Sequence, residues 1–166
     1  LGTISPTAIE IAGITESGAE YVYEGLYRPR ADLSDVMRIA GELHQEFGVR
    51  SWHVDNDILW KMLRNAGYSA RPPNKTKDSA NFSVTRLNDL VSRGMLYIHS
   101  QAHGLRGEWG SYEYKDHTSG DEVTFLDKVK PNQPDHALDA LRYAERPLSS
   151  WRAQQSYGQR VEFSIA

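Results

Sequence analysis

"TAIEIAGITESGAEYVYEGLY" occupies residues 7–27, and its reading sets the architecture of everything after it. Ile9 and Ile11 alternate with Ala8, Glu10 and Ala12, and residues 20–27 alternate in the same way on the far side of "TESG". Period-two patterning around a Gly-containing turn predicts a β-hairpin, and hence an antiparallel start to a sheet.

Downstream, the period changes. "LSDVMRIAGELHQEFG" (33–48) places Val36, Ile39, Ala40, Leu43 and Phe47 on one helical face, with Ser34 expected as N-cap and Gly48 as the stop. "VRSWHV" (49–54) reads as a strand, "NDILWKMLRNAG" (56–67) as a short helix stopped by Gly67, and "YSARP" (68–72) as another strand. After a polar loop at 73–79, a helix is expected from about Asn81 to Arg93, carrying Phe82, Leu87, Leu90 and Val91, followed by the strand "MLYIH" (95–99). Strands alternating with helices imply parallel neighbours, so the expected fold is α/β: a mixed sheet flanked by helices. "SYEYK" and "EVTFL" around "DHTSGD" predict an additional β-hairpin within 109–127, and "DHALDALRYAE" (135–145) a closing helix ended by Pro147. Residues 1–148 form the expected domain and 149–166 a C-terminal tail of little apolar periodicity.

A chain of 166 residues with 39% hydrophobic and 25% charged residues is of ordinary globular composition, with no membrane-length apolar run and no leader pattern at its start. The lack of cysteine removes disulfides, thiolate metal sites and thiol nucleophiles, so any metal must be held by oxygen or imidazole. A net charge of -3 argues against indiscriminate polyanion binding and confines any nucleic-acid contact to a local patch. "RPPNKTK", with Arg71, Lys75 and Lys77, is one such patch, although a solvated loop is its plainer reading.

Two places carry chemistry. In "SWHVDND" a strand delivers Asp55 at its end, while Asp57, or Asn56 in its place, caps the next helix. On the closing helix His136 and Asp139 are three apart and share a face, whereas Asp135 reads as a charge on the positive helix start. Carboxylates from a strand end and a distant helix make an oxygen site suited to magnesium or manganese.

"DHALDALRYA" resembles the closing motif of the nuclease domain of the large terminase subunit of tailed double-stranded DNA bacteriophages. The preceding segments agree in order: "GTISPTAIEIAGI" with the first hairpin, "YEGLYRPR" with the following strand, "HVDND" with the strand bearing the second acid, and "GYSARPPNKTKDS" with the approach to the next helix. The resemblance covers about residues 1–146 and implies a ribonuclease H-like endonuclease that cuts concatemeric duplex DNA with two divalent cations, Mg or Mn. It implies Asp55 and Asp139 as metal-binding acids and His136 as their catalytic neighbour, with the ATPase motor domain of the same polypeptide, the small terminase subunit and the portal as partners. The implied location is the host cytoplasm, transiently at the procapsid portal. No motor-type phosphate loop occurs in this sequence, which therefore reads as the nuclease part.

The family's first acid would fall just before Gly2, at or before the position of Leu1. The chain as written is therefore expected to be poorly active or inactive, and Glu10 and Glu24 have no pattern that makes them substitutes. Lys75, Lys77, Lys128 and Lys130 are the expected phosphate contacts, while Trp109, Tyr112 and Tyr114 read as core or sheet-face residues. A resolvase or ribonuclease on the same fold, and a binding module without catalysis, are the alternatives.

Overall fold

The structure, a computed structural model, describes residues 6–111, 114–119, 122–129 and 133–156, with side chains omitted at 78–81, 114–119, 122–129 and 154–156. The expected hairpin forms: β1 (Pro6–Ile14) pairs antiparallel with β2 (Glu20–Pro29), with a register shift between Ile9 and Glu10. The other elements follow as α1 (Leu33–Phe47), β3 (Trp52–His53), α2 (Asp57–Asn65), β4 (Ala70–Arg71) and α3 (Lys77–Ser92). The chain continues through β5 (Leu96–Ile98), α4 (His103–Ser111), β6 (Tyr114–Ser119), β7 (Glu122–Val129) and α5 (His136–Ser156).

β2 pairs parallel with β5, and β3 parallel with β4, so the mixed character expected from the alternation is present. β1 and β3 nevertheless stay apart. Among the described residues no strand pairs with the second edge of either, and a cavity lined by residues 6–12 and 51–55 lies between them.

Period-two alternation sends β1 into two cores. Ile11 joins Ala40, Leu43, Trp52 and Leu63 beneath α1 and α2, while Ala12 joins Leu105, Ala137, Leu138 and Leu141 beneath α4 and α5. The helices therefore cover both faces. Leu105 and Leu141 are fully buried, and truncating either to alanine should cost about 2–5 kcal/mol.

Several local expectations are corrected. Asp32, not Ser34, caps α1: its carboxylate accepts from Asp35 N at 2.8 Å, and the Ser34 hydroxyl donates to that same carboxylate. At α2 the cap is Asn56, one of the two expected candidates, accepting from Ile58 N and Leu59 N. α3 starts at Lys77, inside the expected loop, and Trp109 lies on α4 rather than in a hairpin, packed against the core. Pro147 does not end α5, which runs on to Ser156 because buried Leu148 keeps the later turns seated. β6 and β7 pair antiparallel; Tyr112 lies outside the described residues, as does the Tyr114 side chain. No helix among the described residues is long and apolar enough to cross a membrane.

Candidate active site

α5 is aimed by a carboxylate from another helix. Glu108 of α4 accepts from the amides of His136 at 3.0 Å, Ala137 at 2.8 Å and Leu138 at 3.0 Å, and from the Tyr27 hydroxyl at 2.8 Å. A buried charge is acceptable there because the free amides of a helix start satisfy it. Glu24 treats α4 in the same way, accepting from Leu105 N at 2.8 Å. Sequence reading located Asp135 at the start of α5 correctly, but the side chain that caps those amides is Glu108, which no local pattern reveals.

With α5 so placed, Asp55, His136 and Asp139 line one cavity of about 390 Å³, the space between β1 and β3. The Tyr143 hydroxyl ties the acids together, lying 3.2 Å from Asp55 Oδ2 and 3.4 Å from Asp139 Oδ2. Because both carboxylates reach one hydroxyl, they stand within about 7 Å of each other. Each also has a cation: Lys75 ion-pairs with Asp55, and Arg142 contacts Asp139 Oδ1 at 2.6 Å. Burial raises the Asp139 pKa, with Asp135 and Asp55 pushing the same way and Arg142 and Tyr143 opposing. Burial, then the charges of Asp139 and Asp55, pushes the Tyr143 phenol above its usual range, so it keeps its one proton, which the two acids share.

Glu10 lines the same cavity, and both of its carboxylate oxygens are buried with no hydrogen-bond partner. Burial, reinforced by Glu24 and Glu108, lifts its pKa to about 9. Among the described residues no three acid or imidazole groups converge tightly enough to enclose a cation by themselves. Two carboxylates a few ångströms apart still suit a hard divalent ion, which keeps several waters and needs only one or two carboxylates.

Of the expected phosphate contacts, Lys75 faces this site, whereas Lys77 is exposed at the start of α3 and lines no part of it. Lys128 has only its backbone described, in β7, and Lys130 lies outside the described residues. Sequence reading missed Tyr143 and Arg142 as members of the site, although their places four and three residues after Asp139 were available as a signal.

No family model and no curated protein matches the sequence. Solved structures do. The large terminase nuclease of thermophilic phage G20c with bound cobalt aligns at TM-score 0.55 over 85% of this chain and 81% of that one, with 16% identity. Its magnesium-bound form gives 0.54 at 17% identity, again over 85% and 81%. The fold of the present chain is that of a large-terminase nuclease domain. The large terminase of a second thermophilic bacteriophage agrees, at TM-score 0.61 and 16% identity over 90% of this chain. The present chain spans 38% of that second terminase, a protein also solved in complex with ADP. At these identities the likeness establishes the terminase-nuclease fold and leaves activity to be argued from the site.

Proposed function

We propose that this chain is the ribonuclease H-like nuclease domain of a phage DNA-packaging terminase, an endodeoxyribonuclease that cuts concatemeric duplex DNA with two divalent cations, Mg or Mn. The observation that carries the reading is the meeting of Asp55 and Asp139 at Tyr143, from a strand end and a helix distant in sequence. Bound divalent cations would activate water for attack on the phosphodiester and stabilise the leaving oxygen. Asp55 and Asp139 would hold them, Tyr143 keeps the two acids oriented, and His136 lies in the same cavity where it can hold or move a proton. The metal-bound G20c structures support divalent cations at this fold.

A further acid completes the reading. The family resemblance puts it on a strand just ahead of Gly2, and the edges of β1 and β3 that are unpaired among the described residues flank a cavity that already contains the other two. The ATPase motor, small subunit and portal are the partners that follow from this reading, and the host cytoplasm its setting.

The test is plasmid nicking with manganese, on the chain as given and with an aspartate-bearing strand joined ahead of Leu1. In the extended form Asp55→Ala and Asp139→Ala should each reduce cutting at least a hundredfold, and Mn²⁺ affinity measured by calorimetry should fall with it. Unchanged cutting and unchanged Mn²⁺ binding in either variant would refute the site; faster cleavage of RNA or four-way junctions than of duplex DNA would reassign the substrate. The ion pairs of Lys75 and Arg142 favour one second reading, a binding module whose acids are neutralised by its own cations. Binding of DNA without cutting in both forms would select it.

A further inference from the structure

Tyr143 lines three cavities, two of which contain Asp55 and Asp139. The third, of about 640 Å³, is of opposite character: Arg50, Arg71, Arg146, His53 and Asn74 line it, with no carboxylate among the described residues of its wall. In a chain of net charge -3 this is a concentrated positive surface.

The groove and the acid site are two ends of one surface. On α5, His136, Asp139, Tyr143, Arg146 and Ser150 recur at spacings of three and four and so form a single face, with Asp139 and Arg146 roughly 10 Å apart along the axis. On the opposite wall Arg71 is the register partner of His53, two residues before Asp55, and its carbonyl accepts from Val54 N at 3.0 Å. Both walls therefore run from arginine to acid. The Arg146 guanidinium stands 5.4 Å from the Phe82 ring centroid and the Arg50 guanidinium 5.5 Å from that of Trp151, contacts that orient a planar fork.

We propose that this groove seats the phosphodiester backbone of duplex DNA adjoining the strand presented to Asp55 and Asp139, with Arg71 and Arg146 each contacting a phosphate. The proposal rests on the nuclease reading of that site. Guanidinium matches phosphate geometry with paired donors, and a polymer with a phosphate at every step can rest on arginines at one end while another phosphate meets the acids. Contacts of this kind position the strand without reading its sequence.

The experiment measures anisotropy of a short labelled duplex in EDTA, where nothing is cut, across a salt series. Arg71→Gln and Arg146→Gln should each weaken binding about three- to tenfold and lower the log–log salt slope by about 1, equally for unrelated sequences. Arg93→Gln, in an exposed ion pair with Asp89 and lining no part of the groove, should leave both unchanged, and Arg71→Lys with Arg146→Lys should restore most of the slope. Absence of DNA binding by the unsubstituted chain, or an unaltered slope in the Arg71→Gln/Arg146→Gln double variant, would overturn the proposal. So would a phosphate-dependent rise in melting temperature that the double variant loses while its DNA slope stays the same, which would mark a site for free phosphate. Failure of the nuclease reading is separate: it shows as Asp55→Ala and Asp139→Ala, made in the form with the aspartate-bearing strand joined ahead of Leu1, cutting and binding Mn²⁺ like that parent form, whatever the arginine variants do.

Discussion

Asp55 and Asp139 share the hydroxyl of Tyr143, at 3.2 and 3.4 Å, and each has a cation on its other side, Lys75 for the first and Arg142 for the second. Removing that hydroxyl leaves the ring in place and unties the acids. Tyr143→Phe is expected to cost at most about 1.5 kcal/mol of stability and, in the form with an aspartate-bearing strand ahead of Leu1, to slow manganese-dependent nicking about tenfold. A normal nicking rate with lowered stability would make the tie purely structural.

Glu108 should matter to the site without touching it. Glu108→Ala strips three amides at the start of α5 of their acceptor and removes the partner of Tyr27. Urea unfolding should show a loss of about 3 kcal/mol, from a lost cap plus unsatisfied buried donors. Because His136 and Asp139 occupy the first turns of α5, Mn²⁺ affinity should fall as well, whereas Glu108→Gln should keep part of both.

Glu10 predicts a pH dependence. Its folded pKa of about 9 lies above the ordinary 4.5, so the folded chain holds a proton that the unfolded chain releases between those values. Stability measured in EDTA should therefore fall as pH rises through that window, by up to about 1.4 kcal/mol per unit. Glu10→Gln should flatten this decline. His53 acts in the opposite direction: its pKa of about 4 against 6.5 means stability is lost as pH falls below 6.5, a limb that His53→Gln should remove.

A buried triad pins α3 to the sheet and to α5. Arg86 contacts Glu20 and Glu145, both with no exposed surface, the latter through Nε at 2.9 Å. Burial raises the Glu145 pKa against the pull of Arg86. Arg86→Met strands two buried carboxylates and should cost about 3–5 kcal/mol by chemical denaturation, while the triple change of Arg86→Met, Glu20→Gln and Glu145→Gln should recover much of it.

Legibility followed range. The β1–β2 hairpin and α1 were readable because alternation and helical periodicity are local, and Gly48 does stop α1 in a left-handed conformation, φ 60°. α4 escaped because "HGLRGEWGS" has three glycines and only a short apolar pattern; its seat depends on Glu24 capping it from β2 and on Gly104 leaving room for the Tyr27 ring. α5 passed through Pro147 because packing of Leu148 outweighed the missing amide.

Sequence alone determined which segments alternate and which turn, and it marked Asp55 and Asp139 as acids at the end of a strand and on a helix face, since those properties depend on neighbours a few residues away. The tertiary structure decided the rest: that the two acids meet at Tyr143, that Glu108 and Glu24 cap helices while Glu10 is left unpartnered, and that arginines from three segments gather in one groove. Contacts between residues remote in the chain depend on how the helices cross the sheet. That crossing is set by the packing of whole faces, which no short stretch of sequence contains.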